Sequence, residues 1–255
     1  MRDQIKARAN LPCVKRVDLK RLRIHEMRLY RGITVPEASA DATVEAILKN
    51  GLLADAGRWL LEDPDLKPRL QQLWMSAELT TELTRPKDET PVLRICACAR
   101  ERDALYYACS HNRNRDDTEA VLITLEVDET DVVIDGRDFL ATVFQLGNPD
   151  ASRGVLGRLF GPAILRFADR AWSLPATDTQ GRIGCFDLAR QDDEVIAAHA
   201  ANELVIGGRY QTRFSSAFLV RAPIAPKSIL AVEQVDHRGY VLPEINITLE
   251  KALGR

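Results

Sequence analysis

The chain has 255 residues, 45% of them hydrophobic and 28% charged, with a formal net charge of −2. That composition fits a globular protein with a sizeable core and excludes a polycation as a whole; one large domain, or one with insertions, is the default at this length. No apolar run approaches the ~20 residues that cross a bilayer, and no secretory signal is legible, so a cytoplasmic protein without a membrane partner is expected.

Residues 1–26 form a basic N-terminal segment. Arg2, Lys6, Arg8, Lys15, Arg16, Lys20, Arg21 and Arg23, with Arg28 just beyond, are opposed only by Asp3, Asp18 and Glu26. Such an arm can hold phosphates through charge-assisted, salt-sensitive contacts. The alternative is a solvated leader packed along the domain. A single catalytic domain is expected over residues 27–250.

MRLYRGITV (27–35) reads as a half-buried strand, because Leu29, Ile33 and Val35 favour an extended backbone. Arg31 stands out in it, and Gly32 lets another group come close to the main chain. Either Arg31 faces outward or it lines a site for an anion. A polar turn follows Pro36, and Val44, Ile47, Leu48 and Leu52 have helical spacing, with Asn50-Gly51 as the stop. Residues 66–83 repeat that period through Leu66, Leu70, Leu73, Trp74 and Ala77, and residues 84–91 read as a loop.

LRICACA (93–99) predicts a buried strand, and RERDALYYACSHN (100–112) a short helix with Ala104, Leu105 and Ala108 inward. VLITLEV (121–127) alternates, placing Val121, Ile123, Leu125 and Val127 on one face, and VVIDG (132–136) adds a short strand. Residues 151–172 are helical apart from a Gly161-Pro162 interruption. A loop over 175–184 and a helix over 187–202 lead into Glu203, then into strands at LVIGG, SAFLVRA and SILAVEQV and a short polar tail. Strands that recur late and in a group predict an α+β fold rather than a doubly wound sheet. No G-x-G-x-x-G follows a strand, which disfavours a Rossmann dinucleotide site.

The five cysteines, at positions 13, 96, 98, 109 and 185, are odd in number and irregularly spaced, which argues for reduced thiols. Cys96, Cys98, Cys109 and His111 are residue types that bind zinc, as a zinc-dependent hydrolase would require. Their spacing is not that of a C-x2-C knuckle, and a helix separates Cys98 from Cys109. Buried cysteines acting as small hydrophobes are the simpler expectation.

In chain order, LYRG, the strand-helix unit ending in ALYYA, VLITLEVDETDVVIDG and NELVI resemble the mono-ADP-ribosyltransferase family. The branch concerned is the one marked by an arginine, a Ser-Thr-Ser strand and a late glutamate. The resemblance spans about two-thirds of the chain through short motifs. It implies a split β-sheet core with flanking helices and NAD as co-substrate. Arg31 would bind the pyrophosphate, Gly32 would expose backbone to the nicotinamide carboxamide, Tyr106 or Tyr107 would pack by the ribose or nicotinamide, and Glu203 would stabilise the transition state. A guanidinium fork suits phosphate as an ammonium cannot, and a carboxylate bonded to a ribose hydroxyl strengthens as oxocarbenium charge develops.

Two departures stand out. In the resemblance Cys96-Ala97-Cys98 occupies the Ser-Thr-Ser position, which implies Cys96 at the cofactor site and a missing or thiol-replaced hydroxyl beside Glu203, a weaker donor whose support must come partly from elsewhere, unless Ser110 takes that role. Ala201 stands where transferases that modify protein arginine carry a further acid. The implied acceptor is therefore another protein side chain, a small molecule or nucleic acid, and a toxin-like member implies an antitoxin-like neutralising partner. The competing expectation is a non-catalytic nucleic-acid-binding module built on the basic segment.

Overall fold

Met27, Leu29, Ile33 and Val35 alternate with more polar residues over the first strand, and in the computed structural model they line one side of β1 (Glu26–Pro36). The structure describes residues 26–53, 94–113, 116–136, 139–140, 143–144, 148–208 and 213–254. The basic segment up to residue 25, the helix expected at 66–83 and the loop expected at 84–91 lie outside these residues.

β1 pairs along its whole length with β3 (Thr118–Asp128), from Glu26↔Asp128 to Pro36↔Thr118. On its other side it meets β2 (Arg94–Cys98) only at Tyr30↔Cys98. With β4 (Val132–Ile134), β7 (Ala217–Arg221) and β8 (Ile229–Val235) these strands form a six-stranded sheet, order β4-β7-β2-β1-β3-β8, in which every pair is antiparallel. β5 (Ile206–Gly207), β6 (Arg213–Phe214) and β9 (Ile247–Thr248) make a separate three-stranded sheet, with β5 and β9 parallel.

The chain is thus α+β, with seven α-helices among the described residues. α1 (Ala40–Asn50) ends at Gly51, whose φ of 79° suits glycine. α2 (Glu101–Tyr106) runs into a π-turn over Tyr107–His111. α3 (Pro149–Phe160) starts at Asn148, whose side chain accepts from the Asp150 N–H, and stops at Gly161 as expected; α4 (Ile164–Ser173) follows. No helix among the described residues is long and apolar enough to cross a membrane.

Three stretches depart from the sequence reading. The loop expected at 175–184 is helical from its middle, because Asp178 caps α5 (Thr179–Ala189) by accepting from the Gly181 N–H. The single helix expected at 187–202 is two: α5 ends, and Asp192 caps α6 (Asp193–Ala200) through the Val195 N–H. The polar tail holds β9 and α7 (Leu249–Ala252), with Leu249, Ala252 and Leu253 buried. In β3 the expected face is buried, but so are Ala120 and Leu122 on the opposite face. α2 explains this, since Ala104 packs with Leu122 and Cys98 beneath Tyr30, Leu105 and Tyr107.

His199 ties three elements together. Its Nε2 lies 3.2 Å from the Ala217 N–H, which can only donate, so the ring is neutral there and its Nδ1–H donates to the Leu159 carbonyl at 2.9 Å. The ring stacks on Phe160 with centroids 4.5 Å apart. Burial drives its pKa from 6.5 down to about 4. Because the folded value is the lower one, the unfolded chain binds the proton first as pH falls, and stability is lost between about 6.5 and 4. The expected loss reaches roughly 3 kcal/mol at the acid end. Urea denaturation across that range should show it, and His199→Gln should flatten that part of the profile.

Candidate functional site

Arg31 pairs across the sheet with Ile123, so it shares the core-facing side of β1 with Leu29 and Ile33 rather than pointing outward. It sits one residue beyond the single β1–β2 pair, where the two strands part. There its Nη1 donates to the Cys96 carbonyl of β2 at 2.6 Å. Burial lowers its pKa, and a guanidinium is basic enough to keep its charge. One donor of the fork is thus committed to β2.

Gly32 does admit a close neighbour, and that neighbour is protein. A Cβ there would lie 1.8 Å from the Ala104 carbonyl oxygen and 2.9 Å from the Ala108 nitrogen. α2 and its π-turn therefore lie directly on β1, one residue from Arg31. Cys96 is exposed and donates towards Asp135 Oδ2 at 3.6 Å, whereas Cys98 is buried and its thiol pKa is pushed up by burial. Cys109 is half-buried, and no three His, Cys, Asp or Glu side chains among the described residues are placed to share a metal ion. Ser110 lies within the π-turn.

Glu203 is held from the N-terminal side of α2. Arg100 donates from Nε to the Asn202 carbonyl at 2.8 Å, from Nη2 to the Ala201 carbonyl at 3.0 Å, and from Nη1 to Glu203 Oε1 at 3.0 Å. Arg102 donates to the Glu203 carbonyl at 2.9 Å. Carbonyls beyond the end of a helix lack intrahelical partners, and a planar fork can serve several at once. The Glu203 side chain is 77% exposed. Its carboxylate pairs with Arg100, not with Arg31 or Cys96.

Asp103, Tyr106 and Tyr107 stand at helical spacings of three and four and line one side of a small cleft. Val205, Arg213, Ser215 and Pro243 line the other, at and around the small sheet. Arg213 stacks 4.8 Å over the Tyr106 ring and donates to the Pro243 carbonyl. The rings of Tyr106, Tyr107 and His111 touch one another, with centroids 5.3 to 5.6 Å apart. Burial raises the pKa of both tyrosines, Tyr107 strongly, and lowers that of His111. Asp103 is buried with its pKa raised by burial, against the pull of a Ser215 hydrogen bond and of Arg102, Arg100 and Arg213.

Gly32 is therefore joined to Tyr106 and Tyr107 through α2, and Glu203 is joined to the same helix through Arg100 and Arg102, while the Arg31 side chain lies on the other face of β1 against β2. Sequence reasoning named none of Arg100, Arg102, Asp103, Arg213 and Ser215. The available signal was the charged run RERD opening a helix beside two tyrosines. Comparison with known protein families, curated proteins and solved structures gives no match.

Two substitutions test this geometry. Arg100→Lys should cost about 1–2 kcal/mol, since a single compact ammonium cannot reach three acceptors met by three separate nitrogens of the fork, and should speed amide exchange over residues 204–207. Gly32→Ala should cost at least about 3 kcal/mol in urea unfolding, because the obstruction is helix backbone rather than a movable side chain.

Proposed function

We propose that the chain is an NAD-dependent ADP-ribosyltransferase with a split-sheet core. It would release nicotinamide and transfer ADP-ribose to a macromolecular acceptor, nucleic acid being one candidate and protein another. The observation that carries the proposal is the convergence on one helix of pieces remote in sequence. Ala104 abuts Gly32, the neighbour of Arg31 in β1, Arg100 and Arg102 hold Glu203, and Tyr106 and Tyr107 line the cleft beside the small sheet.

In this reading the N–H groups of Arg31 not given to Cys96 bind pyrophosphate oxygens, and Tyr106 and Tyr107 offer aromatic surface to the ribose or nicotinamide. The Glu203 carboxylate hydrogen-bonds a ribose hydroxyl and gains strength as positive charge develops on the sugar. Arg100 fixes where that carboxylate stands. Gly32 serves chiefly to let α2 approach, in place of the direct cofactor role that the resemblance implies. Cys96 contributes its carbonyl to orient Arg31, and its exposed thiol stands beside Asp135.

Incubation with labelled NAD tests the proposal. Nicotinamide release and label transfer to a broad set of nucleic acids and proteins are expected, together with a raised Tm in millimolar-scale NAD. Glu203→Gln should lower nicotinamide release by about a hundredfold or more. Arg31→Lys, which keeps the charge and removes the fork, should weaken NAD binding at least about tenfold. Absence of release, of transfer and of any Tm shift in the unmodified chain would sink the transferase reading.

A further inference from the structure

Three consecutive residues at the start of α2 reach three parts of the site. Arg102 donates to the Glu203 carbonyl, the Ala104 carbonyl lies on Gly32, and Asp103 between them enters the cleft. The Asp103 side chain is only 7% exposed. Ser215 hydrogen-bonds its carboxyl and Arg102 Nε stands 3.7 Å from Oδ1, whereas Oδ2 is buried with no hydrogen-bond partner among the described residues. A buried acceptor of that kind carries the full cost of its lost solvation unless something donates to it. The space beside it is about 10 Å³, room for one water-sized group.

We propose that Asp103 is the base that receives the acceptor's proton, with a hydroxyl, amine or water as the reacting group in the cleft and Oδ2 as its hydrogen-bond acceptor. The proposal rests on the transferase reading and assigns it a second carboxylate. A lone pair of the acceptor oxygen or nitrogen forms the bond to the ribose C1′. The bond from C1′ to nicotinamide breaks with its electron pair passing to the ring nitrogen, and neutral nicotinamide leaves. The acceptor's proton passes to Asp103, while Glu203 stays with the ribose.

The groups facing Asp103 suit this division of labour. Arg100 and Arg102 come from its own segment, Tyr106 and Tyr107 from the next turn, Arg213 and Ser215 from the small sheet and the link to β7, and Tyr240 from beyond β8. Burial makes Asp103 more basic than an ordinary carboxylate despite three arginines, and it lifts the Tyr240 phenol to about 12, too high to compete for the role near neutrality.

The test uses the full chain, water as acceptor and NAD hydrolysis as the readout between pH 5 and 9. Asp103→Asn should keep the NAD-induced rise in Tm, lose about a hundredfold in nicotinamide release, and lose the acidic limb of the wild-type pH profile. Azide, an anion that needs no base, should restore release in Asp103→Asn and leave Glu203→Gln inactive. If Asn prevents folding, Asp103→Ser carries the same expectations. Unchanged rate and profile, or intact NAD binding without azide rescue, would overturn the role of Asp103 alone. A wild-type chain that neither binds nor cleaves NAD would overturn the transferase reading and this proposal with it.

Discussion

The backbone of α2 lies so close to β1 that position 32 has no room for a side chain, and the placement of the candidate groups carried or held by α2 follows from that contact. With Ala104 seated on Gly32, the next turn presents Tyr106 and Tyr107 towards the small sheet, and the turn before it carries Arg100 and Arg102 to the residues after α6. A larger residue at position 32 would lift the helix and shift all of these groups together. Packed interiors transmit displacement rather than absorb it, so a change of about one methyl at this point is felt as a change in the site.

Arg31 shows how a charged residue can live on the core side of a sheet. It stands where β1 and β2 part company and fills that gap by donating to a β2 carbonyl. The opening of the sheet and the placing of the guanidinium are thus one feature. An arginine can do this because its long planar fork satisfies one acceptor while retaining donors for another.

How much was legible in the sequence depended on the range of the interactions involved. β1, β2, β3, β7 and β8 were visible because apolar alternation is a local signal that the sheet then uses. α5 was hidden by Gly181 and Gly184 and by a Thr- and Asp-rich approach that looks like a loop, although Asp178 was its cap. β6 and β9 are two residues each and leave no periodicity to read. Arg31, Gly32 and Glu203 could be singled out by type and order, but Glu203's partner Arg100 is 103 positions away, and no local pattern links them. Asp103 resembled an ordinary acidic residue in a first helical turn, and only tertiary burial distinguishes it from Glu101.

The neutral His199 ring has a bearing on how this molecule meets an acidic environment. It joins the end of α3, the last turn of α6 and the start of β7, and the segment it anchors continues within four residues to Glu203. Ser216 strengthens the same knot by donating to the carbonyls of His199 and Asn202. Protonation of the ring would set its Nε2–H against the Ala217 N–H, so acidity would act on the backbone that leads to Glu203. A chain exposed to a passing acid step would lose this knot between α3, α6 and β7 and regain it on neutralisation, as a latch does.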